Sequence, residues 1–339
     1  MAFMQETPPP GLGGKTFMRR FGPQLLLRTL GWLLLAGLLG WALKDVPLQD
    51  VFQSLARLQP WQVGVLLGLN GVILLLVSSR WWLILNSAGY RLPYPTLFVY
   101  RLVGFALSYF TPGPQVGGEP LQVLLLTSRH QVPTRSAVSS VVLDKILEVF
   151  SNFAFLVLGL LIAGASGLAG SWLPGWVLPL AVLTLAGMAA HLAALRRGKK
   201  PISWLLEQLV LGRRALDAIC QVESEMAALC QTKPDLMRNT LGVSLLIWAG
   251  LLWEYSLMLS FVGIHLNLAE VILALTLARL AFLVPTPGGL GALEASQVLA
   301  MQLLGINPAL AISLCLVMRG RDLIVGGAGL GLWARIVRL

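Results

Sequence analysis

The sequence predicts an all-α polytopic membrane protein with about six full spans and two re-entrant helical hairpins in an inverted-topology repeat. Three observations carry that reading. The chain is 56% hydrophobic and 12% charged, and its mean hydropathy of +0.77 lies outside the range of soluble domains. Apolar runs of roughly 20 residues, long enough to cross a bilayer, recur along its length. Between them, TPGPQVGGEP at 111–120 and TPGGLGALE at 286–294 set prolines, glycines and a glutamate inside otherwise apolar sequence.

In chain order, residues 1–61 hold an N-terminal tail and a first span near 24–43. Its apolar core from Leu25 to Leu43 is too long for a signal peptide, and no small-residue cleavage site follows. Residues 62–163 form a unit of span (62–86), hairpin and span (137–163). Residues 164–240 supply a linking span near 173–195 and then a basic, amphipathic segment that is solvated or lies at the membrane interface. Residues 241–339 repeat the first unit, with spans near 241–262 and 309–334.

The pieces flanking each Pro/Gly stretch, near 96–110 and 121–127 and near 269–284 and 295–304, are too short to span. Arginines (Arg91, Arg129, Arg135) stand at both outer ends of the first pair, so the chain enters and returns on one side with the Pro/Gly stretch as its turn. Irregular backbone at membrane depth is tolerated only where it is buried in protein or lines a wet cavity. A shift of 175 residues lays Thr111, Pro112, Gly113, Glu119, Gln122, Val123 and Leu124 on Thr286, Pro287, Gly288, Glu294, Gln297, Val298 and Leu299. A shift of 174 lays LILNSAGYRL (83–92) on LMLSFVGIHL (257–266). One span separates the units, so the second is expected upside down. Two hairpins then reach the midplane from opposite faces, as in secondary transporters whose central site opens alternately to each side.

The net charge of +10 does not point to nucleic acid, because the basic residues gather where topology puts them. Lys15, Arg19 and Arg20 precede the first span, eight more lie in the 196–240 loop, and Arg335 and Arg338 end the chain. By the positive-inside rule both termini and that loop are cytoplasmic. Cys220, Cys230 and Cys315 have neither metal-ligand nor disulfide spacing, and the chain carries no nucleotide-binding P-loop pattern. No cofactor or metal is expected.

Charges inside spans and hairpins need a reason. Apart from Arg28, near the end of the first span, each unit carries three bases and three acids: Arg80, Arg101 and Lys145 with Glu119, Asp144 and Glu148, then Arg279, Arg319 and Arg321 with Glu254, Glu294 and Asp322. Unpaired, at roughly 2.5 to 3.5 kcal/mol each, they would cost on the order of 30 kcal/mol, above a whole fold's stability. They must pair or face water. Aligned positions carry opposite signs (Arg80 and Glu254, Asp144 and Arg319), which points to ion pairs across the pseudo-twofold. Helical spacing sets Lys145 beside Glu148 and Arg319 beside Asp322. Structurally, these charges tie the hairpins to the bundle, with Glu119 and Glu294 capping the return helices. Functionally, Arg101, Arg279, Arg319 and Arg321 receive an anionic group, and the helix starts near Thr111, Gly113, Gly117, Gly118 and Thr286, Gly288, Gly289 add backbone donors.

These residues resemble a family, the flippase-like membrane domain of lysylphosphatidylglycerol synthases and its stand-alone relatives. The marks are Arg101 before Pro112, Gly113, Gly117, Gly118 and Glu119, then Asp144, Lys145 and Glu148 as DKxxE, then PTPGGLGxxE at 285–294 followed by Arg319. The resemblance implies movement of an aminoacylated phospholipid, a polyprenyl-phosphate or a hopanoid-type lipid between leaflets of a bacterial cytoplasmic (inner) membrane. The chain ends at Leu339 just after the last span, so neither the cytosolic aminoacyl-transferase domain of the bifunctional members nor lysine transfer is expected. Gln122 stands where the family pattern implies a basic residue shortly after GGE.

The leading expectation is therefore a lipid flippase or transporter that is not an enzyme, with a membrane lipid as partner and either a second copy or a lipid-synthesis enzyme as a further one. Two rival expectations remain. One is a membrane enzyme acting on a lipid phosphate with a divalent metal on Asp144, Glu148 and Asp322; the other is an accessory subunit of a lipid-synthesis complex.

Overall fold

The computed structural model describes residues 58–110, 118–165, 167, 174–208, 213–281 and 291–338. The expected first span and the two Pro/Gly turns, with Thr111, Gly113, Gly117, Thr286, Gly288 and Gly289, lie outside the described residues. Among the described residues all regular structure is helical: α1 (Pro60–Ser87), α2 (Tyr94–Phe110), α3 (Gly118–His130), α4 (Thr134–Ala165), α5 (Val177–Arg196), α6 (Pro201–Gln208), α7 (Arg213–Thr232), α8 (Pro234–Val262), α9 (Leu268–Ala281), α10 (Ala292–Leu303) and α11 (Pro308–Arg338).

Four of these, α1, α4, α5 and α8, are long and apolar enough to cross a membrane. The expected span at 309–334 is a single helix of 31 residues, but Arg319, Arg321 and Asp322 sit at its centre, and length alone does not make it an apolar span. The short apolar pieces each form one helix of 12 to 17 residues, and the helices of each pair pack on each other.

The two halves have matching helix grammar. The starts of α8, α9, α10 and α11 each fall 174 residues after those of α1, α2, α3 and α4. Helices α1 and α8 also end alike: Gly89 (φ 91°) and Gly263 (φ 90°) take the left-handed conformation that glycine adopts without a Cβ clash. The next amide then reaches back into the last turn, Tyr90 to the Leu85 carbonyl at 3.1 Å and Ile264 to that of Leu259 at 2.8 Å.

Packing follows the same exchange. Helix α1 lies against α8, α2 against α11, and α4 against α9. Helices α1 and α8 run antiparallel, since Trp61 meets Phe261 at the start of α1 and Arg80 reaches Ser244 near its end. Two glycines let helices approach closely: Gly329 of α11 sits on the Leu102 carbonyl and Ala106 of α2, and Gly159 of α4 receives the Thr276 side chain of α9. The 196–240 loop is ordered as α6 and α7. Helix α7 buries Met226, Ala227, Leu229 and Cys230 against α4 and α5.

Candidate functional site

Two adjoining cavities of about 350 and 260 Å³ open at the middle of the bundle. Both are bordered by Phe105 and Tyr109 from α2, by Lys145, Glu148 and Asn152 from α4, and by Arg279 from α9. A cavity with apolar walls and a few converging polar groups is where a ligand site is expected.

In the first half every charge around the cavity is held by another. Arg80 Nε donates to Asp144 Oδ1 at 2.6 Å, and both side chains are 2% exposed. The second Asp144 oxygen takes Arg101, and Arg80 Nη1 also donates to Ser244 Oγ at 3.2 Å. One carboxylate thus bridges α1, α2 and α4. Next to it on α4, Lys145 Nζ stands between Glu119 Oε1 at 3.0 Å and Glu148 Oε1 at 2.9 Å. The i,i+4 spacing of Asp144 and Glu148 puts both on the cavity face of α4.

The second half is less evenly closed. Arg319 makes a forked contact with Glu294, at 2.5 Å from Nε and 3.0 Å from Nη2, the geometry for which guanidinium suits carboxylate. Glu294 Oε2 also accepts the Gly291 amide at 2.7 Å, capping α10 and fixing its start to α11. Arg321 lies between Glu254 Oε2 at 2.6 Å and Asp322 Oδ1 at 2.7 Å. Arg279 has no carboxylate partner among the described residues. Its guanidinium lies 5.1 Å from the ring centre of Trp248, which is itself stacked on Phe155 at 4.1 Å. Its Nε is buried with no acceptor among the described residues.

The hairpin legs of the first half meet almost backbone to backbone. A Cβ on Gly118 would strike the Gly104 carbonyl, and the Gly118 amide donates to Ser108 Oγ at 2.8 Å. Gln122, where a basic residue was expected, is buried in the cavity wall with its Oε1 unpartnered among the described residues. Its counterpart Gln297 is satisfied at both ends, by the Tyr255 hydroxyl and, through Nε2, by the Ala274 carbonyl at 3.2 Å.

Several sequence expectations need correction. The ion pairs expected between the two units are not made among the described residues: Arg80 takes Asp144 instead of Glu254, and Asp144 takes Arg80 and Arg101 instead of Arg319. Charges within one unit lie on helices that pack directly, and these satisfy each other first. Arg319 reaches Glu294, so Asp322 pairs with Arg321 instead. Glu294 caps its helix as expected, whereas Glu119 turns toward Lys145. Asp144, Glu148 and Asp322 do not converge; each is engaged by bases, and no group of three His, Cys, Asp or Glu suited to a metal occurs among the described residues.

Of the expected binding residues, Arg101, Gly118, Glu119, Arg279 and Arg321 border the cavities, with Arg80, Lys145, Glu148, Glu254 and Asp322. Arg319 and Glu294 form a closed pair outside these linings. The sequence reading missed Tyr109, Asn152 and Trp248. Asn152 was within reach, since it follows Glu148 by four residues on the same helix face; Trp248 in an apolar helix carries no such signal.

Residues 28–329 match the profile of a family described as the lysylphosphatidylglycerol synthase TM region. Among individual proteins, a UPF0104 membrane protein of Methanothermobacter thermautotrophicus is 24% identical over 283 residues, covering 80% of this chain and 83% of its own. Another, from Pyrococcus horikoshii, is 24% identical over 264 residues, covering 73% and 78%. These relatives are archaeal, so the likeness extends beyond the bacterial setting.

Proposed function

Because this chain belongs to the family of the lysylphosphatidylglycerol synthase TM region, we propose that it moves an anionic or phosphate-bearing lipid between the leaflets of the membrane in which it is embedded. The headgroup enters the central cavity while the acyl or prenyl tails stay in the bilayer. Arg279 carries this reading: it is a base in a cavity at the middle of an apolar bundle, with no acid paired to it and a buried donor without an acceptor among the described residues. A guanidinium in that state favours the arrival of a phosphate oxygen, which supplies both charge and acceptor.

The inverted-repeat architecture is part of the proposal. It is supported by the common 174-residue offset of helix starts, by the exchange of α2·α11 for α4·α9 contacts and by the antiparallel run of α1 and α8. In this arrangement α2 and α3 form a hairpin entering from the cytoplasmic face, and α9 and α10 one entering from the opposite face. The cytoplasmic face is taken as the end where Arg129 reaches the Ile336 carbonyl and Arg135 reaches Gln221 of α7, since basic residues collect there.

The test is translocation of a labelled anionic phospholipid by reconstituted vesicles. Replacing Arg279 by alanine removes a charged hydrogen bond to the headgroup, about 1.5 to 3 kcal/mol, so the rate should fall by at least about tenfold while a zwitterionic lipid is affected less. Unchanged anionic-lipid rates in the Arg279→Ala protein would rule out the assigned role.

A further inference from the structure

We infer that the cavity takes up one proton with each anionic headgroup, and that Glu254 is the group that accepts it. This rests on the lipid-moving function proposed above and adds its coupling ion. The argument begins with the charge balance. Around the cavity Asp144 holds two bases, Arg80 and Arg101, an excess of one positive charge. Lys145 stands between two acids and so does Arg321, each group carrying one negative charge in excess. Arg279 adds one positive charge and the Glu294–Arg319 pair adds none. The site is therefore neutral when empty, and a headgroup bearing one negative charge would leave it charged inside the membrane, which is costly. A proton restores neutrality.

Geometry selects the acceptor. Glu254 is 2% exposed; its Oε2 is bound to Arg321, and its Oε1 is buried with no hydrogen-bond donor among the described residues. That buried oxygen is an open hydrogen-bonding position, and an added hydrogen there displaces no existing donor. The groups facing Glu254 are Arg321 and Asp322 on α11, Arg279 on α9, Lys145 and Glu148 on α4, Tyr109 on α2 and its own neighbour Tyr255. Glu119 also has a bare oxygen, but it lies in the first turn of α3 beside that helix's unpaired backbone amides, with its other oxygen on Lys145. Glu148 has both oxygens near bases, at 2.9 Å from Lys145 and 3.7 Å from Arg80.

In the step itself, a proton from the water on the open side bonds to Glu254 Oε1. The Glu254–Arg321 contact becomes a hydrogen bond to a neutral acid, Arg321 keeps Asp322, and the cavity gains the one positive charge that the headgroup cancels. The loaded site is neutral and crosses as such. Coupled movement of one anion and one proton must distribute the lipid with the proton gradient, about tenfold for each pH unit.

The experiment uses the full chain in vesicles of zwitterionic phosphatidylcholine containing a trace of labelled phosphatidylglycerol, with membrane potential clamped to zero. At one pH unit of gradient the labelled lipid should settle about tenfold richer in the leaflet facing the alkaline side, since each lipid leaves the acidic side together with a proton. An even distribution despite rapid exchange overturns the coupling and leaves the transport reading intact; no exchange at any pH overturns both. Glu254→Gln should abolish the asymmetry, and Glu254→Asp, which keeps a titratable group, should retain it. As a check independent of transport rate, calorimetry of short-chain phosphatidylglycerol binding in two buffers of unlike ionisation heat should report uptake of about one proton by the wild type and none by Glu254→Gln. The same uptake in both would remove Glu254 as the acceptor.

Discussion

The two halves of the molecule share their helix starts, caps and packing, yet differ in how they treat charge. The first half binds its six ionisable groups into a mesh: Asp144 serves two arginines and Lys145 serves two glutamates, across α1, α2, α3 and α4. The second half closes Glu294 onto Arg319, splits Arg321 between Glu254 and Asp322, and leaves Arg279 with an aromatic face. The same scaffold thus yields one half held together by its charges and one with a charge held ready. A repeat that pairs everything twice would be a stable bundle with nothing to bind.

The sharpest way to break this contrast is to remove Asp144. Asp144→Ala leaves Arg80 and Arg101 without their shared carboxylate in a site where Arg80 is 2% exposed, and breaking a buried pair in this way costs about 3 to 5 kcal/mol. Thermal unfolding in detergent should fall by many degrees, or the protein should fail to accumulate. Arg279→Met in the other half removes no ion pair among the described residues and should leave the unfolding temperature nearly unchanged. Equal losses in both would dissolve the distinction between a held half and a receptive one.

A smaller effect separates the two hairpins. In the first, Gly118 lies against the Gly104 carbonyl, and neither backbone has a side chain to move aside. In the second, the position 175 residues after Gly118 is Leu293, whose side chain is 2% exposed in the core. Gly118→Ala should destabilise by about 1 to 3 kcal/mol through overpacking, whereas Leu293→Ala opens space, at about 2 to 5 kcal/mol. Thermal unfolding of the two variants in detergent checks both, and an undisturbed Gly118→Ala protein would mean that the legs do not meet at Gly104.

Much of this was legible in the sequence, for identifiable reasons. Helix positions followed from apolar run length, because run length is a local property of the chain. That Lys145 would meet Glu148 was legible for the same reason, being a helix-face relation. The partners of Arg80 and Asp144 were not, because the sign pattern records which positions correspond in the two halves and says nothing about which helices touch. Arg279 was among the bases expected to receive an anion, but its lack of a paired acid among the described residues was not legible, because that depends on how α9 lies against Trp248 and α4, a three-dimensional fact.

The least of these effects concerns helix α7, which packs mainly on α4 and α5, beside the first half. Cys230 on its inner face is buried, and burial pushes its thiol up from the ordinary 9.0 to about 11, against a weaker opposing pull from Arg196. A raised thiol pKa means the docked helix favours the neutral form. That contribution is complete below pH 9, and it is lost progressively as pH climbs from 9.0 toward about 11. Because thiolate is the reactive species, maleimide at neutral pH should label the half-buried Cys220 well ahead of the buried Cys230 in the same helix. Labelling of Cys230 should quicken as pH climbs past 9 toward about 11, and α7 should loosen from the first half. Rates already equal at neutral pH would mean that α7 is not docked there, and the first half would then owe its cohesion to the ion mesh alone.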